Sequence, residues 1–444
     1  MQESKPDSHS SYLENLKIVF SSRNYLVILF TNYSGAIFLA AWIYLNLFFR
    51  DVGISYFELG LADSWAMILG LFATLFGGYW ADKYIPHRKY MATFNMFFLA
   101  IATFLIPFVT NFIGLLLVWT VFGFSQFCQA SIDPILFESI PPEQMGTGTS
   151  LFTLTGIFGI VGLLIVAILI QDNFVSGLKV FWHLFTIVAI GNFFLRLIFL
   201  RKTQPAQPVK DHTRGIKDLF NQYRTGVMVL ISTIPLFFIV FLLDIASDIN
   251  YRFVQTFFLN EEVGMDYSTI NYTMIGAIIL GVIGGLFAGF LLDRTKNDAR
   301  VMFLVYMFLP FSIILLFLSP SVPEWTNLLS GEEIGAILSS TAFIAVIIKA
   351  GNDEVWRTIA WGAVGRKLPR EHTGKVMAIL SMSISGLGVF ISPIVGFVYQ
   401  VEGGRPLLLI TLVLNILILV LLLVGWLRGF KRDIEKVPTI SGSI

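Results

Sequence analysis

Twelve apolar stretches, most of them about 20 residues or longer, leave this chain few ways to fold. They run Asn24–Phe49, Leu59–Trp80, Tyr90–Val109, Phe112–Phe137, Thr147–Ile170, Val180–Leu200, Val227–Leu259, Ile270–Leu292, Val301–Leu318, Ile334–Trp361, Val376–Tyr399 and Pro406–Trp426. Each is long enough to cross a bilayer as a helix, where a barrel strand would need only about 10 residues of alternating polarity. Composition agrees: 56% of residues are hydrophobic and 13% charged, against about 25% charged in a soluble domain. The reading is an all-α membrane protein with twelve transmembrane helices.

Lys and Arg set the orientation. With the N-terminus inside, the outer connectors carry only Arg50, Lys179 and Arg405, while the inner ones hold the remaining loop cations. Both termini are therefore expected in the cytoplasm, in a multi-pass protein of the plasma membrane. The first apolar run has no small-residue cleavage site and reads as a retained helix. One long basic connector splits the helices six and six. The expected organisation is a segment 1–23, a six-helix bundle 24–200, a linker 201–225, a second bundle 226–428 and a tail 429–444. Within the linker, Gly215–Tyr223 can form a short surface helix.

The two halves repeat each other. Gly78-Tyr-Trp-Ala-Asp82-Lys83 closes the second run and Gly289-Phe-Leu-Leu-Asp293-Arg294 closes the eighth, each followed by further positive charge, including Arg88 after the first. An apolar-Pro-x-Glu-x-x-Gly pattern precedes both the fifth run (Ile140–Gly146) and the eleventh (Leu368–Gly374). Duplicated halves around a basic linker mark a two-bundle transporter.

With this layout, the Gly-x-x-x-Asp-[Lys/Arg] repeat resembles the signature of the major facilitator superfamily over essentially the whole chain. In the first copy Tyr84-Ile-Pro-His precedes Arg88-Lys89, so the basic pair is displaced from the usual pattern. The resemblance implies two pseudo-symmetric six-helix bundles, a central cavity lined by helices 1, 4, 7 and 10, and alternating access. Gly78, Asp82, Lys83, Arg88, Gly289, Asp293 and Arg294 would then be conformational-switch positions, the glycines allowing close helix approach.

Polar residues concentrate in those same four runs. The seventh carries Asp244, Asp248 and Arg252 at four-residue spacing, and the tenth carries Lys349, Asp353 and Arg357 likewise, with Glu354 beside them. Such spacing stacks side chains on one helical face. A charge at the bilayer centre costs about 2.5–3.5 kcal/mol on the insertion scale, so these seven residues are the candidate substrate and proton-coupling set. Asp244 and Lys349 fall at similar depth and are expected to pair; Asp248–Arg252 and Asp353–Arg357 are expected to pair along their helices, leaving Glu354 unbalanced. Asn32, Tyr33, Gln126, Gln129 and Asp133 are further cavity-lining candidates, and Asp63 in the second run is a weaker one for the coupling set. Trp42, Tyr251 and Trp356 can stack on a solute or serve in packing. The third, ninth and twelfth runs are nearly free of charge, as lipid-facing or packing helices.

Several functions are excluded or weakened. There is no P-loop, no Gly-x-Ser-x-Gly and no His-Glu-x-x-His, and the five histidines do not cluster, so neither an ATP motor nor a hydrolase nor a metal centre is expected. No cofactor is expected. A net charge of +1 gives no reason to expect nucleic acid. Trp119 stands where proton-coupled drug exporters of this family carry an arginine, and the fifth run lacks the Gly-Pro element. The function expected is therefore secondary active transport of a small polar, charged or zwitterionic solute, coupled to protons, by a monomer in the lipid bilayer. A multidrug efflux pump (proton antiporter) of the same fold and a non-transporting, transporter-like sensor or scaffold are the alternatives.

Overall fold

The computed structural model describes residues 12–84, 87–140, 151, 155–202, parts of 221–234, 235–294, 298–321, 340–367 and 370–428. Most of the linker and of the surface segment Gly215–Tyr223, and the loop before the fifth span, lie outside the described residues, as do Leu368 and Pro369. The chain is helical wherever it crosses, because a backbone in lipid must satisfy its own hydrogen bonds.

After a short helix, Tyr12–Ser21, the spans are α1 (Arg23–Asp51), α2 (Tyr56–Ala81), α3 (Arg88–Phe108), α4 (Phe112–Leu136), α5 (Thr155–Leu169) and α6 (Phe174–Phe199). The second set is α7 (Pro235–Glu261), α8 (Tyr267–Arg294), α9 (Arg300–Phe317), α10 (Thr341–Lys367), α11 (Arg370–Glu402) and α12 (Gly404–Arg428). Among the described residues, nine helices are long and apolar enough by themselves to cross a membrane. Neither α7 nor α10 is among the nine. These are the two spans that carry the charge clusters, so they depend on their neighbours for tolerance in lipid.

Local sequence explains the starts. Ser55 and Glu58 form a capping box at α2, with the Ser55 N–H donating to Glu58 Oε2 at 2.9 Å and the Glu58 N–H donating to Ser55 Oγ at 3.3 Å. Asp266 accepts from the Thr269 N–H at 2.9 Å at the equivalent start of α8. Both connectors turn on a glycine with positive φ, Gly53 at 99° and Gly264 at 81°. Asn111 and Asn173 cap α4 and α6 in the same way.

The chain divides into two compact units, Met1–Gly53 with Ile68–Thr213, and Ile54–Met67 with Arg214–Ile444. In the first, α3 packs on α4 and α6, and α1 on α5 and α6. In the second, α9 packs on α10 and α12, and α7 on α11 and α12. Each of these four pairs in the first unit recurs in the second six helices later, which is the packing form of the sequence repeat. The first part of α2 with the two residues before it, Ile54–Met67, is counted with the second unit. There Tyr56 donates to the Glu261 carboxylate, Tyr399 also donates to Glu261 at 3.1 Å, and Ser64 donates to the Val389 carbonyl at 2.7 Å.

Helix approach does rest on glycine, at positions the motif does not single out. A Cβ on Gly78 would meet nothing within 4 Å, whereas one on Gly77 would stand 2.6 Å from the Phe127 carbonyl oxygen of α4. The close contact expected at Gly78 therefore belongs to its neighbour. Gly77 ends a π-helical stretch, Ala73–Gly77, which shifts the register by which side chains face α4. In the second unit a Cβ on Gly284 would lie 2.5 Å from the Gly351 carbonyl oxygen, so α8 and α10 are in backbone contact.

Candidate functional site

The charges on α7 and α10 come together in the second unit, with partners that differ from those expected. Lys349 is 5% exposed. Its Nζ donates to Asp353 Oδ2 at 2.5 Å, stands 3.9 Å from Asp248 Oδ1 and lies 4.1 Å from the centroid of the Tyr251 ring. The ammonium thus has two carboxylates and an aromatic face around it, which offsets its desolvation. Asp248 is shared, because Arg252 Nε donates to its other oxygen at 2.8 Å. Lys349, Asp248, Arg252 and Asp353 form one network with two charges of each sign.

Asp244 does not pair with Lys349. Its Oδ2 accepts from the Trp356 indole N–H at 2.8 Å, and its Oδ1 lies 3.0 Å from the Tyr306 hydroxyl. Tyr306 also stands 2.9 Å from Asn415 Oδ1, and Ser247 donates to that same oxygen at 2.8 Å. Asp244 therefore faces a buried polar cluster built by α7, α9, α10 and α12. Trp356 is a hydrogen-bond donor that packs edge-on against Tyr306, with ring centroids 4.8 Å apart, and not a free stacking platform.

Two more expectations are corrected. Asp353 pairs with Lys349 instead of Arg357. Arg357 turns to Glu354, donating from Nη1 to Oε1 at 2.9 Å, so Glu354 is not the unbalanced acid. Both outcomes follow from burial: the Arg357 side chain is 48% exposed and the Glu354 side chain 41%, so this pair forms on the wetter side of α10, while Asp353 serves the buried ammonium.

The first unit holds a counterpart that the charge pattern does not show. Arg196 of α6 is 1% exposed. Its Nε donates to Thr31 Oγ1 at 2.9 Å, and its Nη1 donates to the Ala92 carbonyl at 2.8 Å and Asn95 Oδ1 at 3.1 Å. Asn95 donates in turn to Ser125 Oγ at 3.0 Å. One turn earlier, Asn192 donates to Ser34 Oγ at 3.0 Å. This network ties α1, α3, α4 and α6 together, as the Asp244 cluster ties α7, α9, α10 and α12. One is centred on a cation held by neutral acceptors, the other on an acid held by neutral donors. The only clue to Arg196 in the sequence is a charge four residues before the end of the sixth apolar run.

The remaining candidates divide. Tyr33 donates to the Leu151 carbonyl and stacks on Phe158 at 4.3 Å, so it packs onto α5. Asn32 and Gln126 are partly buried and Gln129 is exposed. Trp42 sits in a 3₁₀ stretch of α1, Ala40–Tyr44, against Trp119, Phe122 and Trp182. Arg88 is buried at the start of α3, where it donates to the Ala81 carbonyl at 2.7 Å and pairs with Glu138. Asp82, Lys83, Asp133, Gly289, Asp293 and Arg294 occupy helical positions, and their side chains lie outside the described residues. Among the described residues no group of His, Cys, Asp and Glu side chains is arranged to hold a metal ion.

Comparison with known proteins bears on what this framework does. A sequence model described as Major Facilitator Superfamily matches residues 25–355. Among solved structures, the nucleoside transporter NupG is similar with a TM-score of 0.70 at 14% identity, over 90% of this chain and 99% of that one. A bacterial homologue of the human lysosomal transporter Spinster gives 0.66 at 13% identity over 96% and 100%, and a D-xylose–proton symporter 0.65 at 14% over 93% and 97%. At such identities the likeness is one of fold. No curated sequence matches the chain.

Proposed function

The chain belongs to the major facilitator superfamily, and we propose that it carries a small polar, charged or zwitterionic solute across the plasma membrane, coupled to protons. It is a multi-pass membrane transporter and not an enzyme. The observation that carries the solute reading is the network of Lys349, Asp248, Arg252 and Asp353, with Glu354–Arg357 one turn away and Asp244 behind it. A site with both signs of charge can receive a carboxylate at Lys349 or Arg252 and an amine at Asp353 or Asp248, exchanging internal ion pairs for pairs to the solute. An apolar solute would leave those charges desolvated without compensation.

Proton coupling is supported by the same exchange. A proton on Asp248 or Asp353 removes one carboxylate from around Lys349 and changes which partner the ammonium holds, which biases alternating access. The Lys and Arg distribution supports cytoplasmic termini in this reading, with a monomer as the working unit. The test is a solute panel on purified protein by thermal shift, with amino acids, nucleosides and xylose. Flux of the hits into proteoliposomes is then measured with and without an imposed pH gradient. Stabilisation by a charged or zwitterionic solute and gradient-driven accumulation are expected. Flux that ignores the gradient would remove the coupling, and absence of flux for every solute would remove the transport reading.

A further inference from the structure

Asp63 differs from the acids of α7 and α10 described above, each of which has a partner. Asp244 has Tyr306 and Trp356, Asp248 has Arg252 and Lys349, Asp353 has Lys349, and Glu354 has Arg357. Asp63 is partly buried in the first part of α2 and has, among the described residues, no hydrogen-bond donor and no cation beside it. It lies three residues after Gly60 and four before Met67, on or beside the strip of α2 that packs on α11. Along that strip a Cβ on Gly60 would meet the Ser392 carbonyl, Ser64 gives its hydroxyl to the Val389 carbonyl, and Met67 fills the space opposite Gly388.

Among the described residues at this end, Glu58 on α2 is committed to the Ser55 cap, Tyr56, Glu261 and Tyr399 are committed to one another across α2, α7 and α11, and Glu262 pairs with Arg405. None of them acts on Asp63. An ionised carboxylate in a membrane span is retained where something neutralises it. A hard metal cation takes about six oxygen ligands, and among the described side chains along this strip Ser64, with its hydroxyl engaged, and Met67 do not supply them. A proton needs no second ligand.

We propose that Asp63 is a proton-binding carboxyl of the transport cycle, separate from the charge network of α7 and α10. This rests on the proton-coupled reading above. In the cycle the Asp63 carboxylate takes a proton from water on one side of the membrane, becoming the neutral acid, and returns it to water on the other side.

The experiment is infrared difference titration of the purified protein, paired with pH-driven accumulation in proteoliposomes of xylose and of the best solute from the panel. The parent is expected to show a protonated-carboxyl C=O band that titrates with pH, that is missing in Asp63→Asn and that moves in Asp63→Glu. Accumulation is expected to fall at least tenfold in Asp63→Asn and to recover in Asp63→Glu. The same titrating bands in Asp63→Asn as in the parent would overturn the proposal. So would undiminished accumulation by that variant. Should Asp63→Asn not fold, the band in Asp63→Glu decides: a shift supports the assignment and an unmoved band overturns it. A band that is lost in Asp63→Asn, in a parent that shows no gradient-driven flux, would leave proton binding at Asp63 standing and remove the coupled-transport reading.

Discussion

The indole N–H of Trp356 donates to Oδ2 of Asp244 at 2.8 Å, one turn along α10 from Asp353. The first acid of α7 is therefore held by a neutral donor on the same helix that carries Lys349, and not by Lys349 itself. Asp244 and Lys349 belong to two adjoining networks whose members can be altered separately.

Removing the donors of Asp244 should weaken the second unit. Trp356→Phe and Tyr306→Phe keep the rings and each delete one donor to a partly buried acid. Hydrogen bonds to charged groups contribute about 1.5–3 kcal/mol, so each variant should melt at lower temperature than the parent in detergent. Asp244→Asn keeps an acceptor oxygen and should be less destabilised than either, while losing coupled uptake. Parent-like uptake by Asp244→Asn would separate this residue from coupling.

Lys349 and Asp353 should behave as one unit. Lys349→Ala strands Asp353 and frees Asp248 from its second cation; breaking one side of a buried pair costs about 3–5 kcal/mol. The double variant Lys349→Ala/Asp353→Ala should recover part of the lost thermal stability without recovering transport. A double-mutant cycle on melting temperature measures this, and strict additivity would show that the 2.5 Å contact contributes nothing.

Two glycine pairs offer internally controlled tests of helix approach. Gly77→Ala should lower thermal stability because its Cβ would press on the Phe127 carbonyl, while Gly78→Ala should be neutral or slightly stabilising. Gly284→Ala should disturb the α8–α10 contact, while Gly285, with open space around it, should tolerate alanine. Equal effects within either pair would contradict the packing.

Arg196→Ala should be among the most destabilising substitutions in the first unit, since it leaves the Ala92 carbonyl and Asn95 Oδ1 buried without their donor. Each such unpaired group costs about 1–3 kcal/mol. Arg196→Lys should fall between, because an ammonium cannot reach three acceptors in a plane. Thermal melting of the three proteins gives the order.

Much of the fold was legible from the apolar runs and their repeat. So was the Asp248–Arg252 pair, because four-residue spacing on a helix leaves little choice. Asp353 shows where such reading stops. It has a cation four residues before it and another four after, and local spacing treats Lys349 and Arg357 alike. The choice is made by Tyr251 and Asp248 on another helix, which bury Lys349 and leave Arg357 in a wetter place. Arg196 is hard to single out because one cation near the end of a span, next to a basic linker, looks like ordinary loop charge. Its partners Thr31, Ala92 and Asn95 lie more than 100 positions away. The motif pointed to Gly78, yet the π-helical stretch moves the close contact by one residue.

The two buried networks also differ in when they can be completed. Chains emerge from the ribosome N-terminus first. All three partners of Arg196 precede it, so when α6 enters the bilayer its guanidinium has acceptors already waiting. The partners of Asp244 all follow it: Tyr306, then Trp356, with Asn415 closing the cluster behind Tyr306. For most of the synthesis of the second unit this acid is without its donors. The second half of the protein therefore has a vulnerable period that the first half does not, and truncations or stalls between α7 and α10 should be the ones that quality control removes first.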